Sequence, residues 1–341
     1  MIFFFIYICD YKYIFLIFFF NKMIKVDKKL CEYPVIFKKI PFKKFIEIIP
    51  EQKGNYDYII DIIQLSTNNI AIASYTSYIS IIEPNNFNSI KNIQCNRNGI
   101  FKLLEIYLNN IKILIATSNK KIELFNIENY EKIKEISENL NGSVFSIEYD
   151  KINKLLYAGC DDYILNIYKL NDINSIEFIK SINEIHASIK SLCLLSPFNK
   201  LLFTGCSNGN IIKFNVENNY QKIGFIHFRY SHLTQMSQIS NEKFAINSWG
   251  GSIYIIKVNE FILDCEIVIH MNCPVNNFIF FNNNNNILVS CEFGIFGFYD
   301  MERKRFITKY FTKGRIKARK IFLLKNKDII LIQGDTKIYK C

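Results

Sequence analysis

GSVFSIEYDKINKLLYAGCDDYILNIYKLN, from Gly142 to Asn171, is followed by HASIKSLCLLSPFNKLLFTGCSNGNIIKFNVEN, from His186 to Asn218. The two stretches are copies of one pattern. Each has an alternating apolar run, a polar turn and a second apolar run that ends in small residues. A tight turn and a third run with an aromatic residue near its end complete it. Alternation with period two reads as a half-buried strand, and the turn residues between runs read as hairpins. Repeats of about 40–45 residues built from several short strands are the pattern of a β-propeller blade.

The second copy resembles a WD repeat. SPFNKLLFTGCSNGNIIKFNVEN runs close to the family wording S-P-D-G-K-L-L-x-S-G-S-x-D-G-x-I-x-x-W-D. Phe214 and Tyr168 stand at the family's Trp, and Asn215 and Lys169 at its Asp. His186 sits near the His of the Gly-His pair, without the Gly. Asp161 and Asp162, and in the other copy Ser207 and Asn208, cover the turn Asp. The family's buried His–Ser–Asp–Trp network is therefore incomplete in both copies, and apolar packing must carry more of the stability. The resemblance covers about residues 45–341 and is specific mainly in the two quoted units.

Working outward, the residue that ends the second strand of each unit recurs at Ser74, Ser118, Cys160, Cys206, Ser248, Cys291 and Gln333. The spacings are 44, 42, 46, 42, 43 and 42. Six units have three strands and a following outer strand, while the last stops at Cys341 without one. The resemblance implies that an N-terminal strand completes the last blade and removes free sheet edges. Phe45 to Ile49 stands at the right offset for it. The expected fold is all-β, a seven-bladed WD-repeat-like propeller closed by that strand and formed as one domain by residues 23–341.

Small residues such as Ala71, Ala73, Ala116, Ala158 and Gly159 suit strands converging on an axis, and Ile79, Leu124, Ile167 and Ile211 suit the space between blades. An α/β alternative needs a helix between successive strands. Only ENYEKIKEISENL, Glu128 to Leu140, offers one. The Asn282 to Asn286 run is expected in a turn.

Half of the 341 residues are apolar and 21% are charged, which suits a large buried core rather than a disordered chain. Phe (31) and Tyr (20) abound beside a single Trp; with so much Ile, Asn and Lys, this points to a biased coding sequence. The formal charge of +11 is discounted until its distribution is known. The ten cysteines have no C-x-x-C and no zinc-like spacing, so Cys160, Cys206 and Cys291 read as buried thiols in an intracellular, reducing compartment, cytoplasmic or nuclear. Residues 1–22 are almost wholly apolar, as an anchor would be. Asp10 and Lys12 divide them into runs too short to span a bilayer, which favours a gene-model extension before a start at Met23.

No phosphate-binding glycine loop, H-E-x-x-H or nucleophile elbow is present, so no catalysis, cofactor or metal is expected. Asp161-Asp162 reads as a turn rather than an acid–base pair, Gly250-Gly251 and Gly294 as tight turns, and His186, His227, His232 and His270 are dispersed. The resemblance implies that the residue after each anchor points onto the narrower face: Tyr75, Asn119, Asp161, Ser207, Trp249 and Glu292. Trp249 reads either as a binding hot spot or as a plug in the channel.

Between Arg303 and Lys327 stand eleven Lys or Arg residues and no acid, with Lys313, Arg315, Lys317, Arg319 and Lys320 crowding the start of the last unit. Such a cluster suits RNA, an anionic lipid or an acidic peptide, or is a solvated rim. The expected function is a monomeric, non-catalytic scaffold for other proteins of a multisubunit complex, binding through Tyr75, Asp161, Trp249, Glu292 and this basic sector. The alternative is an RNA-binding propeller using residues 303–327. Phosphoinositide binding is disfavoured because Phe/Leu-Arg-Arg-Gly is absent, and a membrane role depends on residues 1–20.

Overall fold

Each second strand ends on its anchor residue. In the structure, a computed structural model, Ser74, Ser118, Cys160, Cys206, Ser248, Cys291 and Gln333 are the last residues of seven equivalent strands. The structure describes residues 44–47 and 59–340, apart from 96–98, 196–200, 229–231, 259–262, 272, 282–283, 312–317, 326–328 and 334–336. The expectations for residues 1–22, for a start at Met23, and for Lys313, Arg315 and Lys317 lie outside the described residues.

In chain order, β1 (Lys44–Glu47) is followed by β2 (Ile59–Gln64), β3 (Ile70–Ser74), β4 (Tyr78–Ile82) and β5 (Ser89–Gln94). The next sheet holds β6 (Ile100–Leu108), β7 (Ile111–Ser118), β8 (Lys121–Asn126) and β9 (Lys132–Ile136). Then come β10 (Val144–Asp150), β11 (Leu155–Cys160), β12 (Leu165–Leu170) and β13 (Ile176–Ile182). They are followed by β14 (Ile189–Leu195), β15 (Leu201–Cys206), β16 (Asn210–Asn215) and β17 (Gln221–His227). Next stand β18 (Leu233–Ser240), β19 (Lys243–Ser248), β20 (Ser252–Val258) and β21 (Leu263–His270). The sixth set is β22 (Val275–Phe281), β23 (Asn286–Cys291), β24 (Ile295–Asp300) and β25 (Arg305–Phe311). The chain ends with β26 (Ala318–Leu323), β27 (Ile329–Gln333) and β28 (Lys337–Lys340).

These strands pair antiparallel into four-stranded sheets arranged as a β-propeller. The expectation of a seven-bladed propeller is corrected to six chain-continuous blades, each made of four consecutive strands from β2 to β25. The remaining four-stranded sheet, β1-β28-β27-β26, is a composite. Among the described residues three strands follow β25, and β1, from the other end of the sequence, fills the outer position. The expected pairing of an N-terminal strand with the end of the chain is thus observed. Phe45 pairs with Tyr339 and Glu47 with Lys337. Glu128–Leu140 contains no helix: KIKEI forms β9, whose alternate side chains are exposed.

Local chemistry explains the turns. Asp150 is fully buried and accepts N–H bonds from Ile152 (2.9 Å) and Asn153 (3.1 Å), tying the β10–β11 turn. Asparagine, which tolerates positive φ, occupies turn positions such as Asn68, Asn109, Asn110 and Asn284.

The core lies between blades. Ile113, Ile115, Ile122 and Leu124 of one blade pack with Val144, Leu156, Ala158 and Tyr168 of the next. Each fully buried Ile or Leu contributes about 1.5–3 kcal/mol relative to exposure. Tyr168 is buried and donates its hydroxyl to the Glu138 carbonyl at 2.6 Å, and Tyr299 does the same to Val268 at 2.8 Å.

Candidate interaction surface and channel

The inner strands β2, β6, β10, β14, β18, β22 and β26 stand side by side in that order, and β26 meets β2 again. Each carries a register shift near its start, for example between Ile59 and Asp61, between Val144 and Ser146, and between Ala318 and Lys320. A bulge adds one residue and re-aims its side chain. The bulged residues Ile60, Phe101, Phe145, Lys190, Thr234 and Asn276 all line one central cavity of about 590 Å³. Arg319 holds the corresponding position in β26.

The residue after each bulge is polar in every inner strand: Asp61, Lys102, Ser146, Ser191, Gln235, Asn277 and Lys320. Several of these side chains bond the neighbouring strand. Asp61 accepts the Leu103 N–H at 2.9 Å, Gln235 accepts that of Phe278 at 3.3 Å, and Asn277 accepts that of Ile321 at 3.0 Å. Asn277 also donates to Gln235 at 2.6 Å. The belt therefore stitches the ring.

Its strongest knot joins the composite sheet to the first blade. Asp61 is 1% exposed and pairs with Lys102 at 3.1 Å and with Lys320. Burial raises the Asp61 pKa, but Lys102, Lys320 and the Leu103 N–H together hold it down at about 2. Lys320, read from the sequence as part of a basic partner-binding sector, is a wall residue of the channel bound to Asp61. The described remainder of the basic segment is dispersed. Lys304 pairs with Glu266 at 2.8 Å, and the Lys325 N–H reaches Gln64 beyond the far end of β26.

The end of the channel where the inner strands begin is the upper face. The backbone N–H groups of Asp161, Ser207, Trp249 and Glu292 donate to the carbonyls of Ser143, Ser188, His232 and Pro274 at 2.9–3.0 Å. Those carbonyls immediately precede inner strands, so the four positions are equivalent and all lie on this face. Asn119 bridges Ser143 beside them, and Tyr75 occupies the corresponding β3–β4 turn.

Trp249 is half exposed, does not line the cavity, and meets the His232 ring edge-on at 5.8 Å. Exposed aromatic residues cluster in these turns: Tyr75 (46%), Tyr163 (51%), Trp249 (52%) and Phe293 (62%). Tyr163 and Phe293 were not among the residues singled out from sequence. Both hold positive φ, 73° and 60°, a conformation that is an outlier for bulky side chains. An aromatic residue where a tight turn favours Gly or Asn is the signal that could have found them.

The turns are tightly built. The Ser143 N–H donates to Asp161 at 2.6 Å, and a Cβ on Gly142 would lie 2.2 Å from that carboxylate oxygen. Asp162 accepts the Ile164 N–H through one oxygen, its other oxygen is buried without a partner, and burial raises its pKa. Gly251 has φ +88°, and a Cβ there would lie 2.2 Å from the Met271 carbonyl oxygen. Gly251→Ala should destabilise the protein by about 1–3 kcal/mol and displace the Trp249 turn. Thermal denaturation and tryptophan fluorescence would check this; an unchanged midpoint and spectrum would refute it.

Among the described residues no three His, Cys, Asp or Glu side chains group as a metal site would require, and no helix is long and apolar enough to cross a membrane. No protein-family model and no curated protein matches the chain.

Proposed function

We propose that the protein is a non-catalytic, WD-repeat-like scaffold that binds other proteins of a multisubunit complex through the upper face. One observation carries this reading: four exposed aromatic side chains stand at turn tips of that face, two of them on backbone that bulky residues rarely adopt. Rigid rings bury much area on binding at little entropic cost. Backbone strain retained at an exposed tip points to a role outside folding. Acidic groups stand among the rings at Asp161 and Glu292, so the partner surface combines apolar and basic side chains.

The test is affinity purification of the chain and of its Trp249→Ala and Phe293→Ala variants, with partners quantified by mass spectrometry. The scaffold reading predicts one set of proteins lost from both variants. Retention of every partner by both would place binding elsewhere. A nuclease-sensitive partner with a steep salt dependence would replace the reading with RNA binding.

A further inference from the structure

We propose that the central channel is a binding site for one small organic anion, held between Lys102 and Lys190. The cavity of about 590 Å³ is in the size range of small-molecule sites. Five ionisable side chains face it: Asp61, Lys102, Glu148, Lys190 and Lys320. Asp61 is committed to two lysines, so its carboxylate neutralises only one of them. Lys102 is only partly shielded and keeps N–H groups for another partner.

Lys190 is the more telling group. A bulge turns it into the channel, where its ammonium lies 3.4 Å from the centroid of Phe145. Phe145 meets Phe101 edge-to-face at 4.8 Å, so an apolar wall stands beside the cation. The next residue, Ser191, borders the same cavity, with its hydroxyl buried against Gly205 of the neighbouring strand. Two cations and an aromatic wall are what an anionic head on a small organic body requires.

Glu148 gives the site a pH dependence. Burial pushes its carboxyl up to about 7, against the opposing pull of the Tyr149 N–H and Lys102. Below neutrality it is mostly uncharged and leaves the lysines to the ligand; above neutrality its charge competes. Burial also lowers the Lys190 pKa, which Asp161 counters. Asp61 stays ionised over this range.

The probes are inorganic pyrophosphate and citrate, titrated calorimetrically into the full chain at constant ionic strength, below and above neutrality. One saturable site per chain is expected, tighter at the lower pH. Lys190→Met should weaken it by about tenfold or more, as loss of a charged contact does. Glu148→Gln should retain binding and flatten its pH dependence. Preference for pyrophosphate assigns a phosphate-bearing ligand, and preference for citrate a carboxylate. No saturable binding of either probe overturns the proposal. So does binding untouched by both variants, which would mean anions collecting on the basic exterior. Thermal denaturation of each variant separates lost binding from lost folding.

Discussion

Replacing Asp61 with alanine should cost about 3–5 kcal/mol of folding stability, among the largest effects of any single substitution in the protein, because it strands buried positive charge. The carboxylate is 1% exposed and meets three partners at once: Lys102, Lys320 and the Leu103 N–H. Two of these belong to β6, in the adjacent blade, and the third to β26, in the composite sheet. Lys320 is 259 residues distant in sequence, so the contact closes the ring as well as satisfying a charge. Without Asp61, the Lys320 ammonium remains largely buried beside Lys102, and like charges then oppose each other.

Acid should act on the same contact. A carboxyl held near 2, below its ordinary 3.8, contributes stability that is complete above about 4 and is lost as pH falls through 2. Urea denaturation of the wild type and Asp61→Ala at neutral pH, repeated toward pH 2, checks both statements. The two proteins should converge in stability as the pH falls. A neutral-pH difference under about 1 kcal/mol would sink the argument. The double variant Asp61→Leu, Lys320→Met should recover much of the loss, since an apolar pair of similar size often replaces a buried ion pair without cost.

Much of the strand framework was legible because it is local. Period-two alternation and a small residue at the close of each second strand survive in divergent sequence, and the anchors at Cys160, Cys206 and Cys291 are strand ends in the structure. What could not be read depends on register. The bulge between Ala318 and Lys320 shifts the register of β26, and Lys320 stands in the channel wall. Its partner Asp61 lies at the opposite end of the chain, where no spacing rule connects the two. The polar belt was overlooked for a related reason. One polar residue in an apolar strand looks like noise until seven strands place it at the same level. Tyr163 and Phe293 were hidden by the ordinary expectation that positive-φ turn positions are held by Gly, Asn or Asp.

Trp249→Ala should weaken the proposed partner interaction by about 2 kcal/mol or more, roughly thirtyfold in affinity. The indole is half exposed, and its turn is held by the Trp249 N–H to His232 bond and by the glycine at 251, so the ring is presented on fixed backbone. A preorganised ring loses little freedom on binding, and its contribution to the complex is correspondingly large. The comparison is Phe225→Ala. Phe225 is more exposed than Trp249, but it lies on the outer strand β17, away from the upper face. Exposure alone would predict a larger loss for Phe225; position predicts that its removal changes affinity by less than about 0.5 kcal/mol. Titration of both variants against the co-purifying protein at two salt concentrations decides between them. Equal losses would show that apolar exposure in general drives association. Loss at Phe225 alone would move the interface to the blade rim, and no loss at either would remove the exposed aromatic residues from the account of binding.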